Sequence, residues 1–146
     1  PKHMIMTDFS PTLSSGLLVH VAIPSFNLDD SLIFYRDVFG ATPFRILEDR
    51  VTFGLHNLQL VCHLTNPEET QPSASFYPRH FGITILDESE FHQFYKKVVA
   101  YHSSFVYSEL ATRFSGRVDE HMTFILTDPS RNFVEFKHYS SPESSF

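Results

Sequence analysis

An α+β fold of two tandem βαβββ modules, forming a curved mixed sheet around a cleft, is predicted by three features of the chain. It repeats itself at an offset of 60 residues: His20-Val21-Ala22-Ile23 meets His80-Phe81-Gly82-Ile83, and Phe34-Tyr35-Arg36-Asp37-Val38 meets Phe94-Tyr95-Lys96-Lys97-Val98 without a gap. Each repeat reads as a strand, a helix and three further strands. Bulky rings are numerous enough to fill an interior, with 16 Phe and 6 Tyr but no Trp among 146 residues. One such module leaves a sheet face uncovered, so two are needed to close a core or a cavity.

The elements follow in order. Residues 1–16 are an N-terminal segment in which Pro1 and His3-Met4 are expected to be in part a cloning junction. Leu17 to Ile23 is an apolar run and reads as the first strand, ended by Pro24. Asp29-Asp30-Ser31 opens a helix to Phe39, its acids matched to the positive helix start and its end marked by Gly40. Short strands come next at Thr42 to Leu47, Val51 to Leu55 and Leu58 to Thr65, with a turn at His56-Asn57 between the last two. The segment 66–78, with three prolines and two glutamates, is a linker. The second module has a strand from His80 to Leu86, a helix from about Ser89 to His102, and strands near Phe105 to Thr112, His121 to Thr127 and Phe133 to Tyr139. Asp128-Pro129-Ser130-Arg131-Asn132 is a tight turn between the last two strands. One domain therefore spans 17–139, as modules 17–65 and 79–139, followed by a tail at 140–146.

Charge excludes one class of partner. Seventeen acids against 11 bases give a net charge of −6, and no Lys/Arg cluster is present, so a nucleic-acid footprint is not expected. No apolar run approaches the roughly 18 residues that cross a bilayer, and none near the start suits a signal peptide, so no membrane partner is expected. The single cysteine, Cys62, has no internal partner and fits a reducing, cytoplasmic setting. Nine histidines in so weakly charged a chain raise the question of metal binding or acid-base work, which only their positions can answer.

Strand side chains alternate between faces, so parity sorts these histidines. In the first strand Val19, Val21 and Ile23 share the greasy face, opposite Leu18, His20 and Ala22. In its repeat Phe81, Ile83 and Ile85 are opposed to His80, Gly82 and Thr84. Each histidine thus stands two residues before a small side chain expected to leave room for a lined cavity. Gln59, Val61, His63 and Thr65 share one face of the fourth strand, with Leu60, Cys62 and Leu64 opposite. Phe133, Glu135 and Lys137 share one face of the eighth. His20, His63, His80 and Glu135 therefore occupy the first and last strands of the two modules. Two imidazoles and one carboxylate suit Fe(II) with open positions, and the wider set suits Mn(II), Ni(II) or Zn(II). A packed or half-buried histidine and a solvent-facing glutamate are the structural alternatives; the pairing of positions across the repeat favours a metal-containing cleft.

His121 shares a face with Thr123 and Ile125 and is a candidate second polar group of the same cavity. Arg113 and Glu120 flank the Ser115-Gly116 turn, where an arginine could clamp an anionic substrate, with a surface ion pair as the alternative. Cys62 points away from His63 and reads as a small buried hydrophobe. His3, His56, His92 and His102 fall in the terminus, a turn or the helix region.

The runs His20-Val-Ala-Ile-Pro24, Phe34-Tyr-Arg-Asp-Val-Phe-Gly40, Leu60-Val-Cys-His-Leu64, Arg79-His-Phe-Gly82, Arg113-Phe-Ser-Gly116 and Asp128-Pro-Ser-Arg-Asn-Phe-Val-Glu-Phe-Lys137 carry a resemblance. In order and spacing they resemble the vicinal oxygen chelate superfamily of glyoxalases, bleomycin-resistance proteins and extradiol dioxygenases, most closely its small extradiol-type members. The resemblance implies a divalent metal, Fe(II) foremost, held by His20, His80 and Glu135. It also implies a small catecholic or other vicinal-oxygen substrate, His63 as an acid or base, and a homodimer; His121 as a second catalytic group and Arg113 and Glu120 as substrate contacts are expected from their positions. The fourth-strand position that holds a glutamate in glyoxalases is His63 here, which leans toward a dioxygenase. Ile125 stands where ring-cleaving relatives carry a tyrosine, which counts against ring cleavage. The alternatives are a glyoxalase-type lyase or isomerase, or a resistance-type protein that binds without chemistry.

Overall fold

The computed structural model describes residues 16–70 and 75–145. Residues 1–15, His3 and the expected junction among them, lie outside the described residues, as do 71–74 of the linker and residue 146.

The described residues form two four-stranded mixed sheets. Strands β1 (Val19–Ser25), β2 (Thr42–Ile46), β3 (Arg50–Leu55) and β4 (Leu58–Leu64) are ordered β1-β4-β3-β2. Strands β5 (Phe81–Thr84), β6 (Val106–Arg113), β7 (His121–Thr127) and β8 (Phe133–His138) are ordered β5-β8-β7-β6. The first strand of each module lies parallel to its fourth, and the other pairings are antiparallel. The parallel crossover in each sheet is carried by the helix and the strands between. This is the α+β, tandem βαβββ architecture that the 60-residue repeat predicts.

Two boundaries differ from the sequence reading, each for a local reason. Pro24 does not end β1, which runs on to Ser25 with Pro24 opposite His63. It is tolerated because β1 is a terminal strand and needs no ladder on its outer side. The first helix, α1 (Leu28–Ile33), begins one residue before Asp29, because the Asn27 side chain accepts from the Asp30 N–H at 3.0 Å and caps it. Its last turn, Phe34–Val38, widens to a π-helix, with Phe39 N–H donating to the Phe34 carbonyl at 3.0 Å. Gly40 then leaves at φ 87, a conformation glycine enters without strain. The second helix, α2 (Glu88–Tyr101), is capped in the same way by Asp87.

The widened turn positions the core. Phe34, Tyr35, Val38 and Phe39 are buried and pack into one cluster with the inward faces of both sheets. Phe39 lies 5.9 Å from the ring of Phe136 and 6.4 Å from that of Phe81, so the first module's helix rests on the second module's sheet. From α2, Phe91, Phe94 and Tyr95 surround Phe124 at 5.4, 5.8 and 4.9 Å. Rings dominate because offset and edge contacts add to the apolar area each one buries. Val21, Ile23, Leu60 and Cys62 of the first sheet, and Phe81, Ile83, Val134 and Phe136 of the second, all face this shared core. By strand alternation the opposite faces, which carry the candidate ligands, are turned away from it.

One buried polar knot ties the modules. Asp128 accepts from the Tyr35 hydroxyl at 2.7 Å, from Asn132 Nδ2 at 2.8 Å, and from the backbone N–H groups of Ser130 and Asn132 at 2.9 and 2.7 Å. From the same turn Ser130 Oγ accepts from Phe26 N–H at 2.8 Å, and Asn132 Nδ2 donates to the Pro24 carbonyl at 2.9 Å. Burial pushes the Asp128 carboxyl above its usual range, and the hydrogen bonds offset only part of that. Burial also pushes the Cys62 thiol up to about 12, which leaves it inert as read from the sequence.

Candidate metal centre

Glu135 lies at the middle of β8, directly opposite Gly82 on one side and Ile125 on the other. It is only 5% exposed, so its carboxylate needs partners. Thr123 Oγ1 donates to its Oε2 at 2.7 Å, while Lys137 Nζ stands 3.6 Å from Oε1. The remaining neighbour of Oε1 is His80 Nε2, at 3.4 Å.

The other ring nitrogen settles what His80 presents. Its Nδ1–H donates to the Phe76 carbonyl at 2.8 Å, and the imidazole lies 4.3 Å from the Phe76 ring. That leaves Nε2 as the ring atom turned toward the carboxylate, on the oxygen that Lys137 Nζ also approaches. Either a proton or a metal ion can sit between Nε2 and Oε1. Donors each about 2.1 Å from one ion at roughly 90–110° lie about 3.0–3.4 Å apart, so the pair fits one metal without moving. A histidine whose second nitrogen donates to a carbonyl, and a carboxylate held by a hydroxyl, is how metal ligands are usually oriented.

The third expected ligand is elsewhere. His20 lies on the first sheet, is exposed, and donates from Nδ1 to Gln59 Oε1 at 2.7 Å, across the register pair His20 and Gln59. Among the described residues no three His, Cys, Asp or Glu side chains come together to hold a metal. One chain thus brings together His80 and Glu135 but not His20. The side chain in contact with His20 is Gln59, whereas His63 is exposed, four residues further along β4 and opposite Pro24 and Arg50.

The remaining candidates surround the second sheet. His121 is buried, donates from Nδ1 to the Asp119 carbonyl at 2.8 Å and lies between Tyr139 at 4.7 Å and Phe114 at 5.8 Å. Arg113 pairs with His121 across β6 and β7, and its guanidinium lies 5.8 Å over the Phe76 ring. Glu120 closes its own loop, accepting from Gly116 N–H at 3.0 Å. Gly82 lines a cavity of about 620 Å³ and has a second role as well. A β-carbon there would collide with the Glu135 carbonyl, so glycine permits the close approach of β5 to β8 that carries the ligand pair.

Three contributors escaped the sequence reading. Phe76 packs with Ile125 and Phe133 as a small apolar cluster and roofs the Ile125 position. Gln59 and Thr123 were assigned to the right faces, but parity says nothing about which partner each one meets.

The two four-stranded mixed sheets and their paired βαβββ modules define an α+β fold of tandem modules. The chain belongs to the glyoxalase/bleomycin resistance protein/dioxygenase superfamily, whose model matches residues 17–136. It is similar to a glyoxalase/bleomycin resistance protein/dioxygenase from Alicyclobacillus acidocaldarius, with 38% identity, TM-score 0.80, and 90% of this chain and 97% of that one covered. A lactoylglutathione lyase from Agrobacterium tumefaciens shares the fold at 20% identity and TM-score 0.62, covering 84% and 93%. So does a genomically encoded fosfomycin resistance protein from Listeria monocytogenes, at 15% identity and TM-score 0.65, covering 92% and 100%. Among curated proteins none matches. No helix among the described residues is long and apolar enough to cross a membrane.

Proposed function

We propose that the chain is a divalent-metal-dependent enzyme acting on a small substrate with two adjacent oxygens, and that its centre is completed between two copies. The observation that carries this is His80 Nε2 held 3.4 Å from Glu135 Oε1 with no proton to spare from its other nitrogen. His20, on an outward face of the first sheet, is the third ligand, supplied by a second copy of the chain as a homodimer. A divalent ion held there, Fe(II) foremost, would supply Lewis acidity and open positions for substrate oxygens.

The chain's own residues do the rest. Thr123 and Phe76 fix the directions of Glu135 and His80, and the Phe76–Ile125–Phe133 cluster keeps water from one wall. Arg113 meets an anionic part of the substrate, while His63 and His121 take or return a proton. Glu120 shapes the loop beside them. The reaction we favour is extradiol-like dioxygenation of a catecholic substrate in the cytoplasm, supported by the set of two His and one Glu and by the neutral Gln59 amide, not a carboxylate, across from His20. A second reading, lyase or isomerase, is favoured by Ile125, which puts a hydrocarbon opposite Glu135 in the place of a phenol.

The experiment is anaerobic loading with Fe(II) of protein purified without chelator, then O2 uptake with a panel of catechols, with the hemithioacetal of methylglyoxal and a thiol as contrast. About one metal per chain and O2 uptake are expected. Turnover of the hemithioacetal alone reverses the ranking, and absence of metal with every divalent ion removes the enzyme reading.

A further inference from the structure

The terminal strands β1 and β5 both line a cleft of about 410 Å³ between the modules. Its wall includes Arg79, His80, Ser130 and Arg131, and no Asp or Glu. That is opposite to the sign of the chain, which carries a net charge of −6. Arg36, Arg50 and Arg117 each have a neighbouring aspartate at 2.8, 2.9 and 3.2 Å. Among the described residues Arg79 and Arg131 have no carboxylate within ion-pair distance. Two exposed arginines without a carboxylate partner border one concave site and make its potential positive, which attracts anions.

The backbone at Arg131 makes a second point. The turn is closed by Arg131 N–H to the Asp128 carbonyl at 3.0 Å and Asp128 N–H to the Asn132 carbonyl at 2.9 Å, and it holds Arg131 at φ 64. Glycine occupies that conformation without strain, whereas a side chain must be held there. An arginine stands where the turn itself would be better served by glycine, and it is an exposed residue at the edge of the cleft. Ser130 adds a donor, since its oxygen accepts from Phe26 N–H and its own proton remains to be given.

We propose that this cleft is a binding site for a compact oxyanion, a carboxylate or a phosphoryl group, gripped by Arg79 and Arg131 with the Ser130 hydroxyl. The planar guanidinium fork matches the two oxygens of either group. The site stands on these residues alone. Its meaning rests on the metal reading above: because His80 lines both places, the oxyanion is the acidic end of the substrate whose adjacent oxygens reach the centre.

The test uses the full chain stripped of metal with chelator, titrated calorimetrically with inorganic phosphate and separately with acetate at constant ionic strength. At least one anion binds the wild type, and which one binds more tightly names the source. Arg131→Gly weakens it roughly tenfold or more, while its melting temperature stays the same or rises, so the loss is not unfolding. Arg79→Ala weakens it similarly. Glu135→Gln keeps anion binding although it no longer holds metal. Binding of neither anion, or wild-type affinity in both arginine variants, overturns the proposal, as does loss of anion binding in Glu135→Gln. A wild type that takes up no metal while the anion titrations behave as expected refutes the metal reading and leaves the cleft standing.

Discussion

The two outward sheet faces descend from one repeat and are built differently. On the second, Glu135 is 5% exposed and is surrounded by Thr123, Lys137 and His80. On the first, His20 and His63 are exposed, and among the described residues the hydrogen-bond partner of His20 is the neutral amide of Gln59. A buried carboxylate must be partnered, here by a hydroxyl, an ammonium and an imidazole, whereas an exposed histidine bonded to an amide makes no such demand. The inward faces share a core, so neither ligand face can fold onto the other within the chain. The difference teaches that the repeat supplied two similar frames, while the side chains on them make a buried His–Glu contact on one and an exposed His–Gln contact on the other.

Metal affinity is where this comparison breaks most sharply. Glu135→Gln retains the shape and the Thr123 contact but loses the anionic donor, so metal content measured by elemental analysis falls from about one per chain to background. His20→Ala removes an exposed side chain, leaves the melting temperature unchanged, and lowers metal affinity by more than the roughly 10–100-fold typical of an outer hydrogen-bond partner. Unchanged affinity in His20→Ala would show that the second module needs no complement and would sink the shared centre. Retention of stoichiometric metal by Glu135→Gln would remove the donor pair itself.

How much of this was legible before the structure follows from what a linear pattern can encode. The 60-residue repeat and strand alternation put His80, Glu135 and Lys137 on one kind of face and the greasy residues on the other, because both depend only on period. Gly82 lines a cavity as its small size suggested, but its second role was hidden, since a missing side chain does not say which neighbouring carbonyl comes close. Phe76 lay in a proline-rich segment without period, so nothing marked it as the partner of His80 and Ile125. Tyr35 and Asp128 were read as a helix residue and a turn residue. Their hydrogen bond spans 93 positions and depends on the π-turn that no spacing rule announces. Above all, parity assigns residues to faces but cannot say which way two sheets are turned, and that decides whether His20 and His80 meet.

The knot that holds the two unlike modules together gives the next largest effect. Asp128→Asn substitutes an amide donor for oxygens that accept four hydrogen bonds, and is expected to cost about 2–4 kcal/mol of stability in urea unfolding near pH 4. The pH dependence carries a definite sign. Because the folded carboxyl titrates above its ordinary value of 3.8, the stability linked to the protonated group is fully present below that value and is lost as pH rises through the raised one. The asparagine variant has no such titration. The stability advantage of the wild type over Asp128→Asn should therefore shrink from pH 4 toward neutrality, and an advantage that grows over that range would contradict a carboxyl raised by burial.

Thr123→Val asks the smallest question, whether the second face owes its preparedness to the carboxylate alone or to the group that aims it. Valine preserves the β-branched fit to the strand but removes the 2.7 Å hydrogen bond to Glu135 Oε2. The buried oxygen then loses one donor while Lys137 and His80 remain, so unfolding stability falls by about 1–2 kcal/mol. If the hydroxyl aims the ligand, metal affinity falls by about tenfold as well, within the usual range for an outer partner. A stability loss without any change in metal affinity would mean that strand register alone orients Glu135, and that the asymmetry between the faces lies in the donor pair and not in its support.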